Sequence, residues 1–254
     1  MRNYFFFVLG CVLFISCGSS HETVLQLTSL DQKIVDGRPA NPGEFSQVVY
    51  LKVFASSTSK PAWCTATLVG SSVIITAAHC AEDGRENGSF KLNGKEYDVH
   101  LTQSPWYSPS GIPYFHDVAL GLLSEPVPNV LPRAIGGETS QGIKLVLAGY
   151  GCTNSNGTGG NDGILRVGEN VVSSFNEFEL VFSRSSGAVT CFGDSGGPTF
   201  VVSNGVPKQL GVHSTGDYAN VYDMRTDIEK SKEFFKNWTQ ENLVDICGVT
   251  QNCQ

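Results

Sequence analysis

The chain contains many short stretches of β-branched and apolar residues, separated by residues that form turns. Nine such stretches are residues 47–54, 66–76, 96–101, 117–123, 143–148, 163–172, 178–182, 198–202 and 209–213. Charged residues make up only 16% of the chain, whereas it contains 28 Gly and 11 Pro, a balance that favours short strands and tight turns over long surface helices. The pattern therefore predicts an all-β fold.

One helix is predicted near the end of the sequence, from residue 226 to about residue 242. Residues that would share one helix face recur there at steps of three and four: Ile228, Ser231, Phe234, Phe235 and Trp238. A series of strands followed by a single helix favours two antiparallel Greek-key β-barrels. A closed barrel has no exposed sheet edges, which makes it more favourable than an open sheet. We expect the barrels to meet near residues 131–136, with the helix docked on the second barrel.

The charge of the chain excludes one class of partner. The formal net charge is −7 and Lys and Arg are spread thinly, whereas a nucleic-acid-binding protein needs a concentrated basic surface. We therefore expect an acidic protein that does not bind nucleic acid. Separately, we expect a monomer that needs no cofactor or metal.

Residues 1–17 have the layout of a secretory signal peptide. Arg2 precedes an apolar run at residues 4–15, which is too short to span a bilayer as a permanent helix. Residues 13–17 also resemble a bacterial lipoprotein box, in which Cys17 would be lipidated; the alternative is an ordinary signal peptide with an incidental Cys. The protein is thus predicted to be secreted, or held in the periplasm or at the outer membrane through a lipid on Cys17 before activation.

The strongest local signal for chemistry is the segment from Gly193 to Pro198, which places Ser195 between small residues. A Ser flanked by Gly can be presented on a tight turn with neighbouring N–H groups free to converge on one point, although most such segments are simple hairpin turns. His79 follows an apolar strand and Asp117 opens another, and each alone is more often structural. In the order His, Asp, Ser, the three together favour nucleophilic catalysis.

These segments resemble the chymotrypsin/trypsin family of serine proteases, from Ile34 through the terminal helix. Further matching segments are Ile34-Val35-Asp36-Gly37, Gly149-Tyr150-Gly151 and Ser214-Thr215-Gly216. The resemblance implies a serine endopeptidase acting on proteins or peptides. In it Ser195 is the nucleophile, His79 is the general base and acid, and Asp117 orients and stabilises His79.

The resemblance also implies the groups that bind the substrate. The N–H groups of Gly193 and Ser195 would hold the developing oxyanion. Ser214 would support Asp117, and Ser214, Thr215 and Gly216 would pair with the substrate backbone as an added β-strand.

An inactive precursor is implied as well. An activating protease would cleave after Lys33, and the new α-ammonium group of Ile34 would be buried against Asp194, since a buried charge needs a partner. The alternative for Lys33 is a solvated linker residue. The predicted organisation is a signal peptide at 1–17, a polar pro-segment at 18–33 and a peptidase domain at 34–254. That domain is divided into a first barrel at 34–133, a second barrel at 134–225, and the helix and tail at 226–254.

Six Cys remain after the targeting segment, and an exported chain favours disulfides. The resemblance pairs Cys64 with Cys80 and indicates a small loop closed by Cys247 and Cys253. Cys152 and Cys191 are left and are paired by elimination, because residues 217–220, where the family places the usual partner of Cys191, contain no Cys. The alternative is two free thiols.

The specificity pocket departs from trypsin itself. Val189 occupies the position where trypsin-like relatives carry an Asp that binds Lys or Arg. Val189 and Thr190 predict a pocket floor that is apolar or mildly polar, and hence a preference for apolar or small residues before the scissile bond. A preference for Arg would instead indicate that Asp217 or another acid reaches the pocket.

Two other functions fit parts of the sequence. A catalytically silent, protease-like binding protein would share the fold, but such relatives usually lack one of the three residues His79, Asp117 and Ser195. A surface lipoprotein or adhesin would explain Cys17, but not the three residues or Ile34.

Overall fold

The computed structural model describes residues 34–55, 60–154, 162–203 and 205–253. The signal peptide, Cys17, the pro-segment and Lys33 lie outside the described residues. Within the described ranges, no helix is long and apolar enough to cross a membrane.

The described residues form fourteen strands and one α-helix. The strands are β1 (Arg38–Pro39), β2 (Val48–Phe54), β3 (Ala62–Gly70), β4 (Val73–Thr76), β5 (Asn87–Leu92), β6 (Lys95–Gln103), β7 (Ala119–Leu123), β8 (Lys144–Gly149), β9 (Arg166–Val171), β10 (Ser174–Phe175), β11 (Glu179–Ser183), β12 (Pro198–Ser203), β13 (Val206–Gly216) and β14 (Asn220–Arg225); the helix is α1 (Glu229–Asn242). The predicted all-β fold with a C-terminal helix is confirmed.

Strands β2 to β7 form a closed antiparallel barrel in the order β2-β3-β4-β7-β6-β5. In β6, Tyr97, Val99 and Leu101 are buried while the residues between them are exposed. This alternation is the pattern of a strand with one face toward a core. The ring closes where β2 meets β5, and a Cβ on Gly88 would lie 2.7 Å from the carbonyl oxygen of Lys52. Only Gly fits this close approach.

The remaining strands form an eight-stranded antiparallel sheet in the order β1-β9-β8-β12-β13-β14-β11-β10. Its edge strands do not pair with each other in the described part of the chain, so the predicted second barrel is an open, curled sheet. The side chain of Asn170 in β9 donates to the carbonyl oxygens of Ser183 at 3.1 Å and Ala188 at 2.8 Å. These bonds draw β9 toward the segment that follows β11. Strand β1, which lies within the range predicted for the first barrel, belongs to this sheet.

The sequence predicted that helix α1 docks on the second barrel, but the core that it joins contains residues of the first barrel as well as Val212 and Met224 of the second sheet. Its buried residues Phe234, Phe235 and Trp238 share one core cluster with the barrel residues Leu68 and Val69. Beyond the helix, the N–H of Cys247 donates to the carbonyl of Val69 at 2.7 Å. The buried face of α1 was predicted correctly, because the 3.6-residue period of apolar residues shows which side of a helix is buried. The period does not show which part of the protein packs against that side.

Strands β1, β5, β10 and β14 were not predicted, and two of the errors in the strand predictions have local reasons. The stretch 66–76 is not one strand, because Ser71 and Ser72 form a tight turn between β3 and β4. Strand β5 was missed because it begins with Asn87-Gly88, a pair that is typical of turns. The structure places that pair in a strand, because the barrel needs a residue without a side chain at Gly88.

Candidate active site

A cleft of about 880 Å³ is lined by residues from both the barrel and the curled sheet. His79 comes from the barrel side, and Ser195 and Ser214 come from the sheet side. Two of the residues that the sequence singled out for catalysis, His79 and Ser195, therefore line one cleft.

His79 and Asp117 are brought together by two paired strands. His79 lies in the 3₁₀ turn Ala78–Ala81 directly after β4, and Asp117 lies two residues before β7. Since Thr76 of β4 pairs with Ala119 of β7, the ends of the two strands are adjacent. Nδ1 of His79 lies 2.7 Å from Oδ2 of Asp117, and the backbone N–H of His79 donates to Oδ1 at 2.9 Å. A carboxylate only accepts hydrogen bonds, so Nδ1 carries the proton and Nε2 is the basic atom.

The Asp117 carboxylate is fully buried and receives a third hydrogen bond from the hydroxyl of Ser214, at 2.5 Å. The predicted role of Ser214 beside Asp117 agrees with this contact. Burial lowers the pKa of His79, but the charge of Asp117 and its hydrogen bond raise it more, so the pKa of His79 lies above 6.5. The ring of Tyr114 packs edge-on against the His79 ring, with centroids 5.8 Å apart.

Ser195 lies on a turn that only Gly residues allow. Gly196 has φ +81°, and a Cβ there would lie 1.9 Å from Oγ1 of Thr76. The turn is held by backbone bonds: the N–H of Thr65 donates to the carbonyl of Ser195, and the N–H of Gly196 donates to the carbonyl of His213, both at 2.8 Å. In the described ranges, the N–H groups of Gly193 and Ser195 have no acceptor. They are thus available to a substrate oxygen.

Asp194 is fully buried beneath this turn. Its Oδ1 accepts the N–H of Gly151 at 2.7 Å and its Oδ2 accepts the N–H of Cys191 at 2.8 Å. Burial raises the pKa of Asp194 to about 6, although His213 and these backbone donors lower it. Its direct hydrogen-bond partners are backbone N–H groups, whereas His213 and Arg166 act on it only through charge.

Ile34, the residue predicted to become the N-terminus, is also buried, at 1% exposure. It shares the core cluster of the curled sheet with Val189, and the N–H of Val189 donates to the carbonyl of Val35 at 3.0 Å. Ile34 and Val35 therefore lie beside the segment that leads to Ser195.

The three predicted disulfides are confirmed. The bonded pairs are Cys64–Cys80, Cys152–Cys191 and Cys247–Cys253. The second pair ties the turn that carries Ser195 to the segment after β8, and the interpretation as free thiols is wrong.

The predicted substrate-binding residues divide into two groups. Thr190, Ser214, Thr215 and Gly216 line the cleft. Val189 does not line it, because its side chain is 2% exposed and belongs to the core.

Sequence reasoning missed several charged or titratable side chains that line the cleft: Arg85, Tyr114, Arg184, His213 and Tyr218. Arg184 lies in no recognisable sequence motif, and His213 was considered only as the last residue of a predicted strand. The one available signal was that His213 directly precedes Ser214 in β13. In the described residues, no group of three or more His, Cys, Asp or Glu side chains could hold a metal ion.

Comparison with known proteins agrees with this geometry. A family model described as Trypsin matches residues 34–234. The chain belongs to the trypsin family. Within it, the trypsin-like protease of Streptomyces glaucescens is 26% identical over 248 residues, which cover 84% of this chain and 87% of that protein.

A second relative and a solved structure extend the comparison. Phenoloxidase-activating factor 3 of Holotrichia diomphalia is 24% identical over 213 residues, which cover 67% of this chain but only 60% of that longer protein. The solved structure of HL collagenase has a TM-score of 0.69 at 20% identity and covers 84% of this chain and 100% of that chain. At that identity the likeness establishes the trypsin-like fold alone.

Proposed function

We propose that this chain is the precursor of a secreted serine endopeptidase with His79, Asp117 and Ser195 as its catalytic triad. The observation that carries the proposal is the pair of contacts from Asp117 to His79, at 2.7 Å to the ring and 2.9 Å to the backbone, in the cleft that Ser195 also lines. Such contacts fix a tautomer in which Nε2 of His79 can accept a proton from Ser195.

In the proposed reaction, Oγ of Ser195 attacks the carbonyl carbon of the scissile bond while Nε2 of His79 takes its proton. The N–H groups of Gly193 and Ser195 stabilise the negative oxygen that forms, by about 3 kcal/mol for each donor. His79 then protonates the leaving amine, and water hydrolyses the acyl-enzyme by the same steps in reverse. Asp117 stays ionised and stabilises the imidazolium form of His79.

The substrate backbone has a free strand edge to pair with. Strand β12 pairs with β13 only as far as Val212, so on that side Ser214, Thr215 and Gly216 have no neighbouring strand in the described residues. An extended peptide can add there as a strand and present its carbonyl to Ser195.

Activation is proposed to follow cleavage after Lys33. The support is the need of buried Asp194 for a positive partner, together with the burial of Ile34 against Val189. If Cys17 is lipidated, the same cleavage releases the enzyme from a membrane, because no Cys lies between Gly18 and Lys33 to keep the pro-segment attached. Fractionation of cells grown with a labelled fatty acid tests this: label is expected on a membrane-bound precursor and not on soluble active enzyme.

Labelling by an active-site serine phosphonylating reagent tests the proposed chemistry. Processed protein is expected to take up one label, on Ser195, because only an activated Ser reacts. A silent binding protein or a lipoprotein adhesin would not be labelled. Unprocessed protein provides the control and is expected to react far more slowly.

A further inference from the structure

The part of the cleft beside Ser195 carries positive charge. Arg184 and His213 line it together with Thr190 and Thr215, and no Asp or Glu of the described residues does so. This distribution stands out on a chain whose formal net charge is −7.

Arg184 lies at the wall of the cleft. Its Nη2 is 3.2 Å from the position that a Cβ on Gly216 would occupy, and its Nε donates to the carbonyl of Asp217 at 2.8 Å. No carboxylate of the described residues comes within 4.0 Å of its guanidinium nitrogens. The outer nitrogens of Arg184 are thus free to bind an anion.

Asp217, the acid that could have made the pocket suitable for Arg or Lys, is occupied elsewhere. Its Oδ1 accepts the N–H groups of Ala219 at 2.7 Å and Asn220 at 2.8 Å, and its Oδ2 accepts the hydroxyl of Tyr222 at 2.7 Å. Asp217 does not line the cleft. Its carboxylate stabilises its own turn and interacts with Arg184 only through charge, so no Asp or Glu of the described residues lines the cleft.

His213 supplies a second donor from beneath the cleft. Its side chain is 1% exposed, and its Nδ1 lies 2.9 Å from Oδ2 of Asp223, which also accepts the hydroxyl of Thr199. Burial lowers the pKa of His213, but the charge and hydrogen bond of Asp223 raise it more, with smaller contributions from Asp194 and the Ala148 carbonyl. Because Nδ1 faces a carboxylate, which only accepts hydrogen bonds, Nδ1 carries a proton; a second proton on Nε2 would make both ring nitrogens donors.

Two polar atoms of the lining residues lack partners. Nε2 of His213 and Oγ1 of Thr215 are buried and make no hydrogen bond of normal length and angle in the described part of the chain. A buried polar atom without a hydrogen-bond partner is costly and rare. A ligand that brings acceptor oxygens into the cleft would satisfy them.

We infer that the cleft selects an acidic side chain, Glu or Asp, in the residue before the scissile bond, with Arg184, His213 and Thr190 as its recognition groups. This inference rests on the proposed peptidase function and replaces the preference for apolar residues that Val189 suggested. A carboxylate has the charge and the acceptors that the outer nitrogens of Arg184 and Nε2 of His213 require. An apolar side chain leaves these donors unpaired, and Lys or Arg is repelled by Arg184.

The first experiment compares peptides that differ only in the residue before the scissile bond. Processed protein is given Glu, Asp, Gln, Leu and Lys peptides, and a small phosphonylating reagent without a peptide part measures competent Ser195 independently. We expect kcat/KM for Glu to exceed that for Gln by at least about tenfold. Labelled enzyme that prefers Leu or Lys would overturn the inference and leave the peptidase function standing. No labelling and no cleavage would remove the proposed function and the inference with it.

The second experiment removes the charge of Arg184. Arg184→Gln is expected to lower the ratio of Glu to Gln cleavage by about tenfold, and Arg184→Lys to restore part of it. Lys236→Gln removes the same charge from an exposed position on α1 and is the matched control. An unchanged ratio in Arg184→Gln, or an equal fall in Lys236→Gln, would contradict the assignment.

Discussion

Asp117 holds His79 through both its main chain and its ring. One carboxylate oxygen accepts the His79 N–H at 2.9 Å, and the other lies 2.7 Å from Nδ1 of the imidazole. The first contact fixes where the residue sits and the second fixes which nitrogen carries the proton. Both depend on the pairing of β4 with β7, so the position of the base is determined by the barrel and not by a mobile loop.

Replacing Ser195 by Ala is expected to lower peptide cleavage by about 10⁶-fold and leave the fold intact, because the change removes only the nucleophilic oxygen. Peptide hydrolysis and thermal unfolding of the purified, processed variant measure the two effects. Ser110→Ala, at an exposed position, is the control and should cleave normally. Comparable proteolysis by Ser195→Ala would disprove the proposed mechanism.

The pH profile of kcat/KM is expected to rise through a midpoint above 6.5. The neutral form of His79 accepts the Ser195 proton. Burial lowers the pKa of His79, but Asp117 raises it more, so neutral His79 appears only at higher pH. Asp117→Asn should lower kcat by about 10⁴-fold and move the midpoint down. Asp98→Asn removes the same charge from an exposed position on β6 and should do neither. A midpoint at or below 6.5 in the unaltered enzyme would contradict this.

Processing after Lys33 is expected to stabilise the protein at neutral pH but not in acid. Burial raises the pKa of Asp194 to about 6 from 3.8, so folding of the unprocessed chain becomes less favourable as pH rises through that window. A shift of about two pKa units corresponds to roughly 3 kcal/mol, which the new α-ammonium group of Ile34 would offset above pH 6.

Urea unfolding of the processed protein and of a Lys33→Gln precursor, at about pH 4.5 and about pH 7.5, measures this difference. The gain in unfolding free energy on processing should appear only at the higher pH. An equal gain at both pH values would show that Asp194 is not the group responsible.

Removing the Cys152–Cys191 bond is expected to cost more stability than removing Cys247–Cys253. The two bonds span 39 and 6 residues, and the entropy of the closed loops predicts about 4 and about 2 kcal/mol. Urea unfolding of the two double Cys→Ala variants checks the order. Only the first should also lower peptide cleavage, since the N–H of Cys191 holds Asp194 beneath Ser195. Equal activity in both variants would contradict that link.

The sequence was most informative where chemistry requires a residue type at a fixed local position. His79 follows a strand, Asp117 precedes one, and Ser195 lies between Gly193-Asp194 and Gly196-Gly197, so each can be recognised from the residues next to it in the sequence. The Cys152–Cys191 bond was also predictable, because the segment 217–220 offers Cys191 no partner.

The sequence was least informative where a position depends on register or on distant packing. The pairing of β13 with β14 shifts between His213 and Thr215. Such an irregularity determines which side chains face the cleft, and no local sequence pattern predicts it. Val189 likewise occupies the position that binds substrate in trypsin, yet its side chain is in the core.

The turn Asp217–Asn220 at the rim of the cleft has no covalent bond to the segment that carries Ser195, because Cys191 is joined to Cys152 instead. The turn is held by hydrogen bonds, such as the N–H of Asp217 donating to the carbonyl of Asn220 at 2.9 Å and Nε of Arg184 donating to the carbonyl of Asp217 at 2.8 Å. Lengthening a surface loop costs little free energy. This rim is therefore a suitable site for grafting longer loops from other peptidases, and for selecting new cleavage preferences without rebuilding the catalytic centre.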